Sequence, residues 1–491
     1  MKFFCRAKLW KYFSIYFRIS ALKHKKMFTF AGKLRINNFS CIMTNVIKIK
    51  KGLDINLKGK ASEVLLNGGS SATYALVPDS YNGIMPKVVA KVGDKVKAGS
   101  VLFVDKNRPE IKFVSPVSGE VAAVNRGEKR KVLSVVVKPD TQVVYEEFGK
   151  KNVASMKADE VKEALLTAGM WPFIKQRPYD IVANPAESPR DIFVSAFYSA
   201  PLAPNFDFIL KGQEADFQAG LSALAKMTAG KVYVGVRKGS AAAKVSGVEV
   251  VEVEGPHPAA NVGVQINNIK PVNKGEVVWT VNPDDVIIMG RLFNKGVADF
   301  SRLVVLTGSE TTERGYIKTI AGCTIESLVA GKIMDNGHIR VISGNVLTGS
   351  KVGKEDYLRA YDNQVTVIPE GDDNDEFFGW AVPGFNKYST SHSYLTWLIG
   401  RNKEYVLDAR IKGGRRAMIM SNEYDKVFPM DILPEYLIKA ILAFDIDKME
   451  NLGIYEVAPE DFALCEFVDT SKMELQKIVR DGLNLLYKEM N

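Results

Sequence analysis

The four cysteines are the residues of this sequence best suited to redox or metal chemistry. They are Cys5, Cys41, Cys323 and Cys465, and no two of them form a Cys-x-x-Cys pair. Structural zinc sites and iron–sulfur clusters hold their metal with several thiolates at short spacings. The spacing therefore excludes a Cys-only site of the usual kind within this chain. Scattered cysteines also fit a reducing compartment without a disulfide framework.

Glycine spacing tests for a nucleotide site. Loops that hold a pyrophosphate bring backbone N–H groups close to it, and this needs glycines at fixed positions before a helix. Among the 39 glycines, no Gly-x-Gly and no Gly-x-x-x-x-Gly-Lys-Ser/Thr pattern occurs. We therefore expect this chain alone not to bind NADH or FMN tightly.

One segment comes close to a pattern for covalently attached flavin. Residues 67–73 read Asn-Gly-Gly-Ser-Ser-Ala-Thr, whereas the pattern that links flavin phosphate to a Thr is Asp-x-x-Ser-Gly-Ala-Thr. Asn67 replaces the Asp, and Ser71 replaces the Gly. We interpret the segment as a polar loop and not as a flavin attachment site at Thr73.

The most distinctive segment is a lone histidine between two prolines, Gly-Pro-His-Pro-Ala at 255–259. The prolines fix their own backbone angles, so His257 is held in a rigid loop. One interpretation is a quinone or partner contact, or a group that handles protons near neutral pH. The other is a turn that positions a domain junction. The second is favoured because no second histidine lies nearby in the sequence.

The elements that must position these residues begin with a β-rich region, 43–146. A strand-like run at 46–49 opens it, and short runs separated by Gly and Pro follow. The strand–turn–strand pattern at 87–103 is repeated around 115–121. The region resembles the biotinyl/lipoyl carrier domain, a flattened sandwich of two quasi-repeats.

A carrier domain presents one Lys at a hairpin tip, where its cofactor is attached. The corresponding tip falls at 107–109, where Arg108 cannot form the amide link and Pro109 changes the turn. Lys106 and Lys112 flank the tip, but neither occupies it. We therefore predict a sandwich that carries no attached cofactor.

Region 147–300 alternates helical and strand patterns. A capped helix is predicted over 159–169, a buried strand over 191–197, a helix over 213–227 and a strand over 231–236. Strand, helix, strand implies a parallel sheet with helical crossovers. This predicts a Rossmann-like parallel α/β domain that lacks the Gly-rich loop.

Region 301–372 is predicted as a ubiquitin-like module of the SLBB type. Its strands are expected near 303–308, 316–320 and 338–344, with a short helix at 324–329. The acidic stretch 370–376 is expected to be a solvated linker.

Region 373–491 is predicted to be helical. Pro434 stands at the favoured first position of one helix, and a second apolar stripe runs over 475–486. The intervening stretch 460–472 resembles the Cys run of a ferredoxin domain but retains only Cys465. A 4Fe–4S cluster needs four ligands, so we predict a degenerate ferredoxin-like domain without a cluster.

The net charge of +10 is concentrated at the N-terminus. Residues 1–42 hold ten Lys or Arg and no acidic residue, which leaves 56 basic and 56 acidic residues in 43–491. The rest of the chain gives little support for nucleic-acid binding. No run approaches the 18–20 apolar residues that a membrane span needs, so a membrane role must be peripheral or through partners.

The 42-residue basic extension admits two interpretations. Its mixture of aromatic and basic residues is typical of an amphipathic segment at a membrane surface, whereas a secretory signal lacks support because charges interrupt any apolar core. The favoured interpretation is that translation begins at Met43, where the composition changes abruptly.

Taken together, the order of regions resembles the A subunits of sodium-translocating NADH:quinone oxidoreductases. The matching phrases are Phe-Val-Ser-Pro-Val-Ser-Gly at 113–119, Ile-Phe-Val-Ser-Ala at 192–196, Gly-Pro-His-Pro-Ala at 255–259 and Leu-Cys-Glu-Phe-Val at 464–468. The flavin subunit of complex I and the C subunit of the Rnf complex have related architectures but keep their glycine loops and cysteine clusters. The resemblance covers nearly all of 43–491.

The resemblance implies a peripheral subunit on the cytoplasmic side of the bacterial inner membrane. Its partners would be the other subunits of the complex, especially the multi-span B subunit, and its ligand at most a quinone. NADH, FAD, FMN and iron–sulfur would belong to those other subunits. We name no catalytic, cofactor-binding or metal residue. The alternatives are a stand-alone flavin or NAD oxidoreductase and an Rnf-type electron-entry subunit.

Overall fold

The computed structural model describes residues 45–334, 337–373, 384–400 and 402–490. The predicted extension 1–42 lies outside the described residues, as do Cys5 and Cys41. Within the described ranges, no helix has both the length and the apolar character needed to cross a bilayer.

Two small antiparallel sheets enclose the apolar core of the sandwich. The four-stranded sheet has the order Tyr74–Leu76, Val132–Pro139, Gly119–Arg126, Lys95–Val96, and the three-stranded sheet has the order Pro86–Val88, Val101–Asp105, Lys112–Val114. Phe103 and Phe113 are fully buried between them, with ring centroids 4.4 Å apart. Alternating apolar residues on short strands therefore produce the sandwich that the sequence predicts.

A seven-stranded sheet forms the centre of the α/β region. Its order is Asn45–Lys48, Glu249–Glu254, Val232–Val236, Ile192–Ser195, Val278–Val281, Ile174–Arg177, Ile181–Val182. The first five strands are parallel and the last two are antiparallel to their neighbours. The central strands are rich in buried Val and Ile, as a sheet covered on both faces requires.

Five helices accompany this sheet: Ala158–Thr167, Phe206–Leu210, Glu214–Lys226, Val262–Ile269 and Pro283–Lys295. Local sequence explains their ends. Glu160 accepts the backbone N–H of Lys157 at 2.8 Å, which caps the first helix. Gly296, with φ of 77°, ends the last one in the left-handed conformation that glycine favours.

The strand Asn45–Lys48 was expected to open the sandwich, but it belongs to the central sheet instead. It pairs in parallel with Glu249–Glu254 in the central sheet, with Val46 opposite Glu252. The next strand, Leu65–Leu66, also leaves the sandwich and pairs with Gly315–Ile320 of the following sheet. Apolar patterning predicts that a segment is a strand, but a parallel partner remote in sequence leaves no local signal.

A six-stranded sheet forms the predicted small module. Its order is Ser350–Val352, Ile339–Ser343, Gln364–Pro369, Ser301–Thr307, Gly315–Ile320, Leu65–Leu66, and the helix Ile325–Val329 packs against it. The acidic stretch 370–376 was expected to be a solvated linker, but its first residue, Glu370, accepts hydrogen bonds from Arg340 and Lys351. The hydrogen bonds from Arg340 lower the pKa of Glu370 to about 2. Residues 374–376 of that stretch lie outside the described residues.

The C-terminal region is helical, as predicted. Its helices are Thr396–Ile399, Tyr424–Val427, Pro434–Leu442, Ile446–Asn451, Ala463–Val468 and Leu475–Met490. Pro434 occupies the first turn of its helix. Leu475, Val479, Leu483 and Leu486 are fully buried in a core that includes Ile49 and Val253 of the central sheet. The tail is thus packed directly on the α/β region.

Candidate functional site

The candidate site lies at the point where the connections of the central sheet change direction. Strands Ile192–Ser195 and Val278–Val281 are neighbours, but the chain leaves the first toward one edge of the sheet and returns to the second. In open α/β sheets, ligands bind beyond the carboxyl ends of two such strands. A cavity of about 490 Å³ occupies this position here.

Four parts of the chain line this cavity, and the sandwich region contributes Asn82. The α/β region contributes the loops after both strands, including Tyr198 and Asn282, and the neighbouring Lys175. The module contributes Gln364, and the helical tail contributes Arg480. The module and the helical tail therefore border the cavity together with the α/β region, and the cavity is partly open to solvent.

The helix that begins at this cavity is poorly suited to a phosphate. Its first residue, Pro283, has no backbone N–H to donate. The next two residues, Asp284 and Asp285, are 6% and 1% exposed, so the partial positive charge of the helix end already faces two carboxyl groups. A pyrophosphate would meet negative charge where a dinucleotide site supplies N–H donors.

A buried ion pair joins this helix to the module. Arg302 donates to Asp285 over 3.0 Å, and both side chains are 2% exposed. Burial raises the pKa of Asp285 to about 7, although the charge of Arg302 opposes the shift. Asp284 accepts hydrogen bonds from the Tyr198 hydroxyl and, at 2.9 Å, from Asn363. The first turn of the helix is thus bonded to both sides of the cavity.

A second buried ion pair joins the central sheet to the tail. Arg177 is 1% exposed and donates to Asp461 over 2.8 Å, to Glu460 over 3.2 Å and to the carbonyl of Glu456 over 2.7 Å. Asp461 is 2% exposed. Neither charge can be left alone in this environment, because an unpaired buried charge is strongly destabilising.

His257 lies at the junction of three segments beside the cavity. Its ring is 5% exposed, and Nδ1 lies 3.0 Å from Ser199 Oγ. Its backbone N–H donates to Asp54, and its carbonyl accepts from Leu53, both over 2.8 Å. Burial lowers the pKa of His257 to about 4, so the ring is neutral at pH 7. These contacts favour the predicted role as a turn at a domain junction, and a quinone contact stays a prediction.

The other predicted residues lie apart from the cavity. Thr73 Oγ1 lies 3.0 Å from the Tyr357 hydroxyl, so the flavin-like segment is attached to the module. Arg108, at the predicted hairpin tip, donates to Asp105 and to the carbonyl of Gly83, each over 2.9 Å. The tip is therefore bound to neighbouring backbone.

Both described cysteines, Cys323 and Cys465, are fully buried, and they belong to separate apolar clusters. Burial raises the pKa of each thiol. The structure thus leaves both in the protonated form at neutral pH, without the exposed thiolate that reactive cysteines have.

Sequence reasoning missed the four residues that form the buried ion pairs between regions, Arg177, Asp285, Arg302 and Asp461. A weak signal was present, because Arg177 is the last residue of a strand that is mostly buried. A charge in such a strand implies a buried partner, but nothing in the sequence identifies that partner 284 residues away.

We expect Asp461→Ala to destabilise the packing of the tail by about 3–5 kcal/mol, because it leaves Arg177 buried without its main partner. Chemical denaturation, followed by hydrogen exchange in 434–490, measures the change. Replacing both Arg177 and Asp461 by Leu should recover part of the loss.

The matched control is Glu423→Ala, which breaks the exposed pair between Glu423 and Lys426 in the same region. It should cost about 0.5 kcal/mol or less. If Asp461→Ala were as mild as this control, the buried pair would not hold the tail in place.

We expect His257 to titrate at about 4 in the folded chain, against about 6.5 when unfolded. Between these values the unfolded chain binds more protons, so stability is lost as the pH falls from about 6.5 to about 4, by about 3 kcal/mol in full. NMR of the four histidine rings, with His257→Gln for assignment, measures this. The exposed His338, whose pKa is raised by its hydrogen bond to Asp372, should titrate above its ordinary value. A pKa of His257 near 6.5 would contradict its burial.

Comparison with known proteins gives matches along most of the chain. Three family models match: the NqrA N-terminal barrel-sandwich hybrid domain over 47–140, the NqrA second alpha/beta domain over 156–298 and the NQRA C-terminal (SLBB) domain over 303–354. They agree with the sandwich, the α/β region and the module, and a helical region follows.

Curated relatives match over nearly the full length. The A subunit of the Na+-translocating NADH-quinone reductase from Neisseria meningitidis serogroup B is 36% identical over 449 residues, as is its counterpart from Yersinia pestis. That of Vibrio vulnificus is 38% identical. Each match covers 90% of this chain and 100% of the relative. The chain therefore belongs to the family of A subunits of the Na+-translocating NADH-quinone reductase.

Proposed function

We propose that this chain is the peripheral subunit of the reductase that docks on its membrane subunits, above all the multi-span B subunit, on the cytoplasmic side of the bacterial inner membrane. There it controls the access of quinone and carries no redox cofactor of its own. NADH, FAD, FMN and iron–sulfur belong, in this proposal, to the other subunits of the complex.

The observation that carries the proposal is the pair of buried carboxyl groups at the helix start beside the cavity. A dinucleotide needs backbone N–H donors at the start of a helix. Here Pro283 and two buried carboxyl groups take that position. The module and the tail cover the same position through the Arg302–Asp285 and Arg177–Asp461 pairs. The domain that would hold NADH in a related enzyme is used instead as a platform for the two C-terminal regions.

A second argument concerns the helical region, 373–491. We propose that it descends from a ferredoxin-like domain that has lost its cluster ligands. Within its described residues, Cys465 is the one thiol, and it is buried in an apolar core. The α/β region is in the same sense a Rossmann-like domain without its phosphate loop. The domain boundaries 43–146, 147–300, 301–372 and 373–491 are part of this proposal, with the strand at Asn45–Lys48 contributed to the second domain.

The cavity has a composition that suits a partly polar ring such as a quinone head group. Phe197 and Tyr198 supply apolar and aromatic surface, and Asn282, Gln364 and Ser199 supply hydrogen-bonding groups. The wall also carries several charged side chains, so it is more polar than most binding sites of this size. Trp279 lies on the strand that ends at the cavity and provides a fluorescent reporter.

The test is to purify the whole chain, record its visible absorption, iron and flavin content, and titrate it with a short-chain ubiquinone analogue while following Trp fluorescence. We expect a colourless, iron-free protein whose fluorescence responds saturably. His257→Ala should weaken the response, because it removes the ring that fixes Ser199 at the cavity wall. His338→Ala, at an exposed site, should leave it unchanged.

Each part of the proposal has its own contradicting result. Bound flavin or iron would refute a chain without cofactors. A colourless protein with no saturable response would refute the role in quinone access. Equal responses of the two histidine variants and the unaltered chain would place quinone away from this cavity.

A further inference from the structure

Five large apolar side chains are exposed close together at the start of the C-terminal region. Phe385, Leu395, Leu398 and Ile399 are 62%, 57%, 56% and 69% exposed, and Trp397 is 38% exposed. Leu395 is the cap of the single-turn helix Thr396–Ile399, and Trp397, Leu398 and Ile399 lie within that helix. Single exposed apolar residues are ordinary, but a cluster of this kind marks a surface that meets another apolar phase.

Local contacts make these residues one surface. Thr396 Oγ1 donates to the carbonyl of Lys387 over 2.6 Å, which places the helix against the 385–387 segment. Lys403 Nζ lies 3.4 Å from the carbonyl of Phe385. The rings of His392 and Trp397 are stacked with their centroids 4.7 Å apart. We call this surface, formed by 385–387, 392–399 and 403, the apolar–basic tip.

The charge of the tip has one sign. The charged residues of the tip are Lys387 and Lys403, and Glu404 follows directly after it. Long basic side chains beside exposed Leu, Ile, Phe and Trp are the composition of segments that rest on anionic lipid, where the apolar groups enter the acyl boundary and the ammonium groups meet phosphates. Trp also prefers this boundary to either water or hydrocarbon.

A protein partner fits the tip less well. Lys is depleted in protein–protein interfaces relative to the rest of the surface, whereas the tip carries two. Peptide partners usually dock in a groove or along a strand edge. The apolar groups here lie on one helical turn, and their large exposed fractions show that they project outward.

We propose that the apolar–basic tip lies on the anionic phospholipid headgroups of the membrane, with Leu398 and Ile399 entering the acyl boundary. The inference rests on the proposed function for placing the chain beside a membrane. The tip then adds a lipid contact to the contacts that this chain makes with other subunits. When one chain makes two weak contacts at the same time, its total affinity exceeds the affinity of either contact alone.

The test is co-sedimentation of the whole chain with vesicles of phosphatidylcholine alone or mixed with phosphatidylglycerol. We expect binding to the mixed vesicles that weakens as salt is raised. Leu398→Asp with Ile399→Asp should weaken it about tenfold or more, since two buried side chains are lost. Lys403→Glu should weaken it at least about fivefold, as expected for a juxtamembrane basic group.

The matched control is Leu433→Asp, at a residue 55% exposed outside the tip that precedes the helix Pro434–Leu442. It retains the same 1–42 segment as the other variants, so any binding by that basic segment is common to all of them. The control should bind as the unaltered chain does.

Three results would overturn the inference: no binding of the unaltered chain to the mixed vesicles, equal binding of the tip variants and the control, or retained vesicle binding by tip variants that no longer co-purify with the membrane subunits. The last would assign the tip to a protein partner. The quinone titration is made without vesicles, so the proposed function can fail or survive independently of this outcome.

Discussion

The arrangement of this chain depends on the pairing of buried charge across its domains. Arg177 and Arg302 are 1% and 5% exposed, and each finds its carboxylate on a different part of the chain. Arg177 belongs to the central sheet and Asp461 to the tail. Arg302 belongs to the module and Asp285 to the α/β region. Since a buried charge without a partner is very costly, the module and the tail are held in one position over the strand ends.

The pairing also determines what lies at the strand ends of the α/β region. The start of the helix Pro283–Lys295 carries Asp284 and Asp285, whose carboxyl groups form bonds to the module and to Tyr198. The same positions cannot also accept a phosphate. The cavity that remains is lined by all four regions, so its shape depends on how those regions pack. A role in controlling access suits such a cavity better than a role in tight cofactor binding.

Much of the fold follows from local patterns. Buried Val and Ile runs, amphipathic spacing and the proline before Glu435 predict strands and helices close to where they lie. The absence of a Gly-x-Gly pattern predicts that the chain has no standard phosphate loop, and this stays a prediction. The sequence does not predict which strands and charged residues pair when they are far apart along the chain. Asn45–Lys48 pairs with Glu249–Glu254, and Ile49 belongs to the same buried cluster as the tail, but no local signal shows this. Likewise, the sequence places Glu370 in a solvated acidic run, because it does not reveal that Arg340 binds this carboxylate.

The most direct test of the account is whether the intact chain binds a nucleotide at its strand-end cavity. Isothermal titration calorimetry with NADH and with FMN measures this. The account predicts no saturable heat with either ligand at millimolar concentration, both for the unaltered chain and for Lys175→Ala, which removes a cation from the cavity wall. Stoichiometric binding that Lys175→Ala weakens would contradict it, because the cavity would then be a working nucleotide site despite its buried carboxyl groups.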